Sequence, residues 1–131
     1  MSKKLFNVLL PAASGLVALA VAITADAHGS MKPEHGGLVQ MSGETSFELV
    51  NAPGGVALYL KDDEDPVASS GMTAKLTVTS KAGKTSTAPL AAAGGNKFEA
   101  KGLKIQPGSK VGVMVVDKAT QARSSTTFAL K

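Results

Sequence analysis

The chain has 131 residues, a formal net charge of +4 and no cysteine. That is enough for one domain with a modest core, and it excludes disulfide staples, nucleophilic thiolates and cysteine-based zinc or iron–sulfur sites. Thirteen of the fourteen basic residues are lysines, scattered singly, and the five Phe and Tyr residues do not interleave with them; the clustered, arginine-containing patch with stacking aromatics that nucleic acid requires is missing.

The N-terminus reads as a secretory signal peptide. Lys3 and Lys4 precede a mostly apolar stretch over residues 5–23, followed by the small-residue triplet Ala25-Asp26-Ala27. A membrane anchor is the competing reading, because the stretch approaches the roughly 20 residues that span a bilayer, but Pro11, Ser14 and Gly15 interrupt it. Cleavage after Ala27 puts small side chains at both key positions, so the expected exported chain is periplasmic, starts at His28, carries a net charge of +3 and has no stable membrane insertion. Residues 28–36 lack a strand pattern and contain glycine and proline, so they are expected to form a mobile or loosely docked arm ahead of a domain spanning residues 37–131.

From Gly37 onward the sequence alternates with period two. Phe47 and Leu49, then Val56, Leu58 and Leu60, then Leu76 and Val78, then Phe98, then Val111, Val113 and Val115, and finally Thr126, Phe128 and Leu130 each mark one face of a half-buried strand. The segments Asn51-Ala52-Pro53-Gly54-Gly55, Lys81-Ala82-Gly83, Gly94-Gly95-Asn96, Pro107-Gly108 and Asp117-Lys118-Ala119-Thr120 supply the turns between them. The expected fold is all-β: an antiparallel β-sandwich of about seven strands and immunoglobulin-like size, with a small barrel as second choice. Residues 88–93 leave room for a helical turn, limited by Pro89 and Gly94-Gly95.

Both histidines of the chain, His28 and His35, stand seven positions apart directly behind the expected cleavage site. A terminal histidine offers its α-amine and its own Nδ1 to one metal ion, and His35 can supply a third nitrogen, brought round by the small and turn-forming residues between them. Met31 and Met41 add thioether sulfur, which selects Cu(I), while Glu34 keeps zinc or nickel in play. The expected metal ligands are therefore His28, His35, Met31 and Met41, with copper as Cu(II) or Cu(I) the expected ion and other divalent cations as alternatives. Two histidines on a solvated arm are the plain alternative. Met72 and Met114 fit core filling better than ligation.

Asp62-Asp63-Glu64-Asp65 is a run of four carboxylates without the alternating spacing of a calcium loop, and reads as a solvated acidic turn. Catalysis has less support. No Gly-x-Ser-x-Gly elbow exists, and the only histidines able to serve as base lie on the arm; the chain is expected not to be an enzyme.

Residues 28–78 resemble a group of small bacterial periplasmic β-sandwich proteins associated with copper and heavy-metal resistance, and the extra domain of some membrane-fusion adaptors of heavy-metal efflux systems. The similar features are the His35-Gly36-Gly37 triplet, the Phe47-Glu48-Leu49-Val50 strand, Leu58-Tyr59-Leu60 with its acidic turn and Pro66-Val67, and Gly94-Gly95-Asn96. The resemblance implies periplasmic handling of copper or a related cation, with His28 and His35 as the positions that carry over. Such proteins often place a histidine beside the aspartate of the acidic turn, where this chain has Asp62-Asp63, so the implied site falls on the arm. A more distant similarity is to periplasmic copper-resistance sandwiches that begin with histidine, but these use a late histidine that is missing here. Oxidative polysaccharide-cleaving copper enzymes also share a terminal histidine, but one tyrosine and no tryptophan cannot build their substrate face.

The expected function is a periplasmic metal-binding protein that buffers copper or delivers it to an efflux adaptor. Its rival is a metal-free envelope interaction module that docks through its sandwich surface or a strand edge. Fold alone does not choose between them.

Overall fold

Alternation of apolar and polar side chains builds the centre of the molecule. In β2 (Thr45–Ala52) and β3 (Gly55–Asp62) the core takes Phe47, Leu49, Val56, Leu58 and Leu60, while Ser46, Ala57 and Lys61 point the other way. The computed structural model describes residues 32–131. The signal segment, its cleavage site, His28 and Met31 lie outside the described residues.

Seven further strands complete the described chain: β1 (Leu38–Ser42), β4 (Asp65–Pro66), β5 (Met72–Thr79), β6 (Thr85–Ala92), β7 (Lys97–Lys101), β8 (Lys110–Asp117) and β9 (Arg123–Ala129). Apart from one 3-10 turn, Ser69–Gly71, no helix occurs among the described residues. In place of a two-sheet sandwich of about seven strands, the nine strands form one antiparallel sheet in the order β1-β2-β3-β7-β6-β5-β8-β9, with β4 paired to β3. β1 and β9 touch without being hydrogen-bonded neighbours, so the sheet is nearly closed into a barrel. Its interior is filled by the β2 and β3 residues named above together with Leu76, Phe98, Val111, Val113, Val115 and Phe128, all nearly inaccessible to solvent. Ile105, in the connection between β7 and β8, adds to this core.

Three strands were not readable as such: β1, β6 and the two-residue β4, whose Asp65 belongs to the acidic run. β1 carries apolar residues on both faces, and Leu38 remains 45% exposed, so its sequence shows no alternation. Residues 88–93, where a helical turn was one expectation, belong mostly to β6. Ser80 N–H donates to Lys84 O and Ala93 N–H donates to Lys97 O. Even-numbered residues of β6 therefore address β5, and odd-numbered ones address the β7 side. Pro89 is odd, so its missing N–H removes no bond from the β5 ladder.

The acidic run forms one of three two-residue hairpin turns among the described residues. Asp62 pairs with Asp65, and the two residues between them, Asp63 (φ 52°) and Glu64 (φ 70°), both adopt left-handed backbone, as a two-residue hairpin turn that follows the strand twist demands. All four carboxylates of the run are at the surface.

Candidate functional site

Period two places Glu48 on the outer face of β2, opposite the core residues Phe47 and Leu49. Across the sheet it is flanked by Val39 of β1 and Tyr59 of β3. An outward-facing glutamate is ordinarily solvated, yet Glu48 is only 5% exposed. The segment preceding β1 covers it.

That covering is built from backbone amides. Oε1 of Glu48 accepts from Glu34 N–H (3.1 Å), and Oε2 accepts from His35 N–H (2.7 Å) and Gly37 N–H (3.0 Å). The His35 ring completes the set, with Nδ1 3.0 Å from Oε1. Successive amides converge in this way only where the backbone turns sharply, forming a concave anion-binding nest. The two glycines make the turn possible: Gly36 has φ +77°, and a Cβ on Gly37 would lie 2.3 Å from the Leu49 carbonyl oxygen. The His35-Gly36-Gly37 triplet thus wraps a carboxylate of its own chain.

Burial by itself would push the Glu48 carboxyl above the usual glutamate range. The His35 ring and the three amides outweigh it and hold the group below that range, as a carboxylate. Glu34 then reaches Lys61 of β3 at 3.1 Å, an exposed pair of modest worth. Lys97, the cross-strand partner of Tyr59, is 3.6 Å from Glu99.

The His35 ring lies flat on Tyr59, with centroids 3.5 Å apart and planes within 3°. One ring face is covered and one ring edge is bound, yet 39% of the side chain remains accessible. The described part of the expected arm, residues 32–36, hydrogen-bonds to Glu48 at Glu34 and His35, and Gly37 just after it does the same.

Of the four expected ligands, His35 and Met41 fall within the described residues. Met41 is on the same outer face, paired with Ser46 and two residues beyond Val39 along β1, which is about 7 Å of strand. His28 and Met31 lie outside the described residues. Among the described residues no three His, Asp or Glu side chains gather as a metal centre. Sequence reasoning missed Glu48 and Tyr59 as members of this cluster, because what covers them comes from residues 11 to 24 positions away in the chain.

In comparisons with protein families, with curated proteins and with solved structures, the chain finds no match.

Proposed function

We propose that this is a non-enzymatic periplasmic metal-binding protein in which the barrel holds His35 ready as a ligand, and Met41 of β1 together with the segment before His35 supplies the rest. Copper is the ion the donor set favours: histidine nitrogen, an amine if the exported chain starts at His28, and the thioethers of Met31 and Met41. The observation that carries the reading is the state of His35. Its ring is fixed in plane by Tyr59 and at one edge by Glu48, while the side chain stays accessible, which is how ligating histidines are commonly held by a carboxylate behind them. A ligand that stays as accessible as His35 can be exchanged on encounter, which suits buffering or delivery to an efflux adaptor such as those the sequence resembles.

Tyr59 makes the test direct. It is the sole tyrosine in a chain without tryptophan, and it lies against the proposed ligand. Copper(II) added to the exported chain is expected to quench tyrosine emission and saturate at one equivalent, with no saturable quench in His35→Ala and a weakened one in His28→Ala. Should His35→Ala titrate like the wild type, the reading is wrong.

A second reading, docking of a partner strand, is favoured by one feature. β6 pairs with β7 only at Ala91 and Ala92, so the outward-directed backbone groups of Thr85 and Thr87 meet no strand on that side. Thr87→Pro leaves the β5 ladder intact, because the Thr87 N–H points away from it. A partner lost through Thr87→Pro and retained through His35→Ala would select this reading over metal binding.

A further inference from the structure

We infer that Glu48 is a positioning residue for metal at His35: it holds the ring as the Nδ1–H tautomer, makes Nε2 the nitrogen that takes the ion, and is not itself a ligand. This rests on the metal-binding reading above, but its first half is a statement about the metal-free protein and is tested there.

Three steps lead to it. An ionised carboxylate only accepts hydrogen bonds, so a ring nitrogen 3.0 Å from Glu48 Oε1 carries the hydrogen. In the neutral ring the lone pair then resides on Nε2, the reverse of the tautomer that predominates for a free imidazole side chain in water. Next, a carboxylate offers about four lone-pair positions, and Glu48 receives four donors, two on each oxygen. No lone pair remains for a cation, so Glu48 acts on the metal only through His35.

The third step separates the roles of the two residues that hold the ring. Stacking on Tyr59 fixes the ring plane but is indifferent to a half-turn about the Cβ–Cγ bond, which leaves that plane unchanged. That half-turn exchanges the nitrogen and carbon edges, and only the Glu48 contact distinguishes them. Tyr59 therefore sets the plane of the His35 ring, and Glu48 sets which ring edge would be left to take an ion. The Gly36-Gly37 turn belongs to the same device, since it brings the amides that seat the carboxylate beneath the ring.

The test is nitrogen-15 NMR of the His35 ring in the full chain at about pH 8, above the ordinary imidazole range, first without metal and then with zinc as a diamagnetic probe. The wild type is expected to show a protonated Nδ1 and an unprotonated Nε2, with zinc shifting Nε2. In Glu48→Gln the tautomer is expected to move toward Nε2–H, and copper affinity, read by Tyr59 quenching, to fall roughly 10–100-fold, the usual effect of removing such a supporting group. An Nε2–H ring in the wild type overturns the inference without any variant, so a poorly folding Glu48→Gln does not shelter it. Unchanged tautomer and affinity in a folded Glu48→Gln overturn it as well, while leaving His35 as a ligand. If His35→Ala loses no copper, the functional reading fails even where the tautomer is as inferred.

Discussion

Glu48→Gln also measures how firmly the segment before β1 is attached. The carboxylate satisfies four donors with two oxygens, whereas an amide presents one oxygen and one NH2 group. Two donors keep an acceptor, and the other two face hydrogens. Each bond to a charged acceptor contributes about 1.5–3 kcal/mol, and Glu48 is almost inaccessible. Water entering beside the released amides returns part of this, so docking should weaken by about 2–4 kcal/mol, roughly 30- to 1,000-fold in the opening equilibrium. Amide hydrogen exchange at Glu34, His35 and Gly37 reads that equilibrium locally. It should accelerate by that factor, while the amides of β5 and β8 change far less. A pH series gives the sign independently. Because the Glu48 carboxyl is held below the ordinary glutamate value of about 4.3, its contribution is complete above that value and is lost as pH falls through the depressed one. Tyr59 ring shifts in the wild type should therefore report undocking only in the acid range, with no such step in Glu48→Gln. Equal exchange rates in both proteins would refute the reasoning, since the four hydrogen bonds would then contribute nothing to holding the segment.

Three further outcomes follow from the geometry. Gly37→Ala forces a Cβ against the Leu49 carbonyl, so the segment should lift from Glu48 at a cost of about 1–3 kcal/mol, seen as faster exchange at His35 together with loss of the Tyr59 stacking shift. Gly36→Ala meets no neighbour but keeps a left-handed backbone, and should cost about 1–2 kcal/mol by the same measurement with the contact to Leu49 undisturbed. Glu64→Gly relieves a left-handed non-glycine residue in the β3–β4 turn and should stabilise by about 1 kcal/mol, raising Tm by about 4–8 °C for a domain of this size; no rise in calorimetry would contradict the strain.

The strands with a strict period of two were legible because one face of each is buried by the strand's own neighbours. Val111, Val113 and Val115 turn toward the core as the alternation predicts, and the glycine- and proline-bearing turns fall between the strands. Strand number and closure were not legible in the same way. β1 lies at the end of the sheet order, where burial is too weak to impose a pattern, and β6 conceals its periodicity among small side chains, with Leu90 its sole fully buried residue.

The site shows a different kind of limit. His35 was picked out by its rarity and Gly36-Gly37 only as part of the triplet that carries the resemblance, but nothing local indicates that these residues enclose a carboxylate. Glu48 and Tyr59 alternate outward like ordinary surface residues, and only the pairing of β2 with β3 sets them side by side. The information lies in two separated facts: a glycine pair that permits amides to converge, and one acidic residue on the strand that the turn overlies. Neither has meaning without the register, in which Val39 pairs with Glu48 and Leu38 with Leu49. A shift of that register by one residue would turn Glu48 away from the segment and leave three amides and the His35 ring without their acceptor. The histidine is therefore held by the same pairing that attaches β1, the end strand, to the sheet, and substitutions that loosen β1 should be felt at the His35 ring before they are felt in the core.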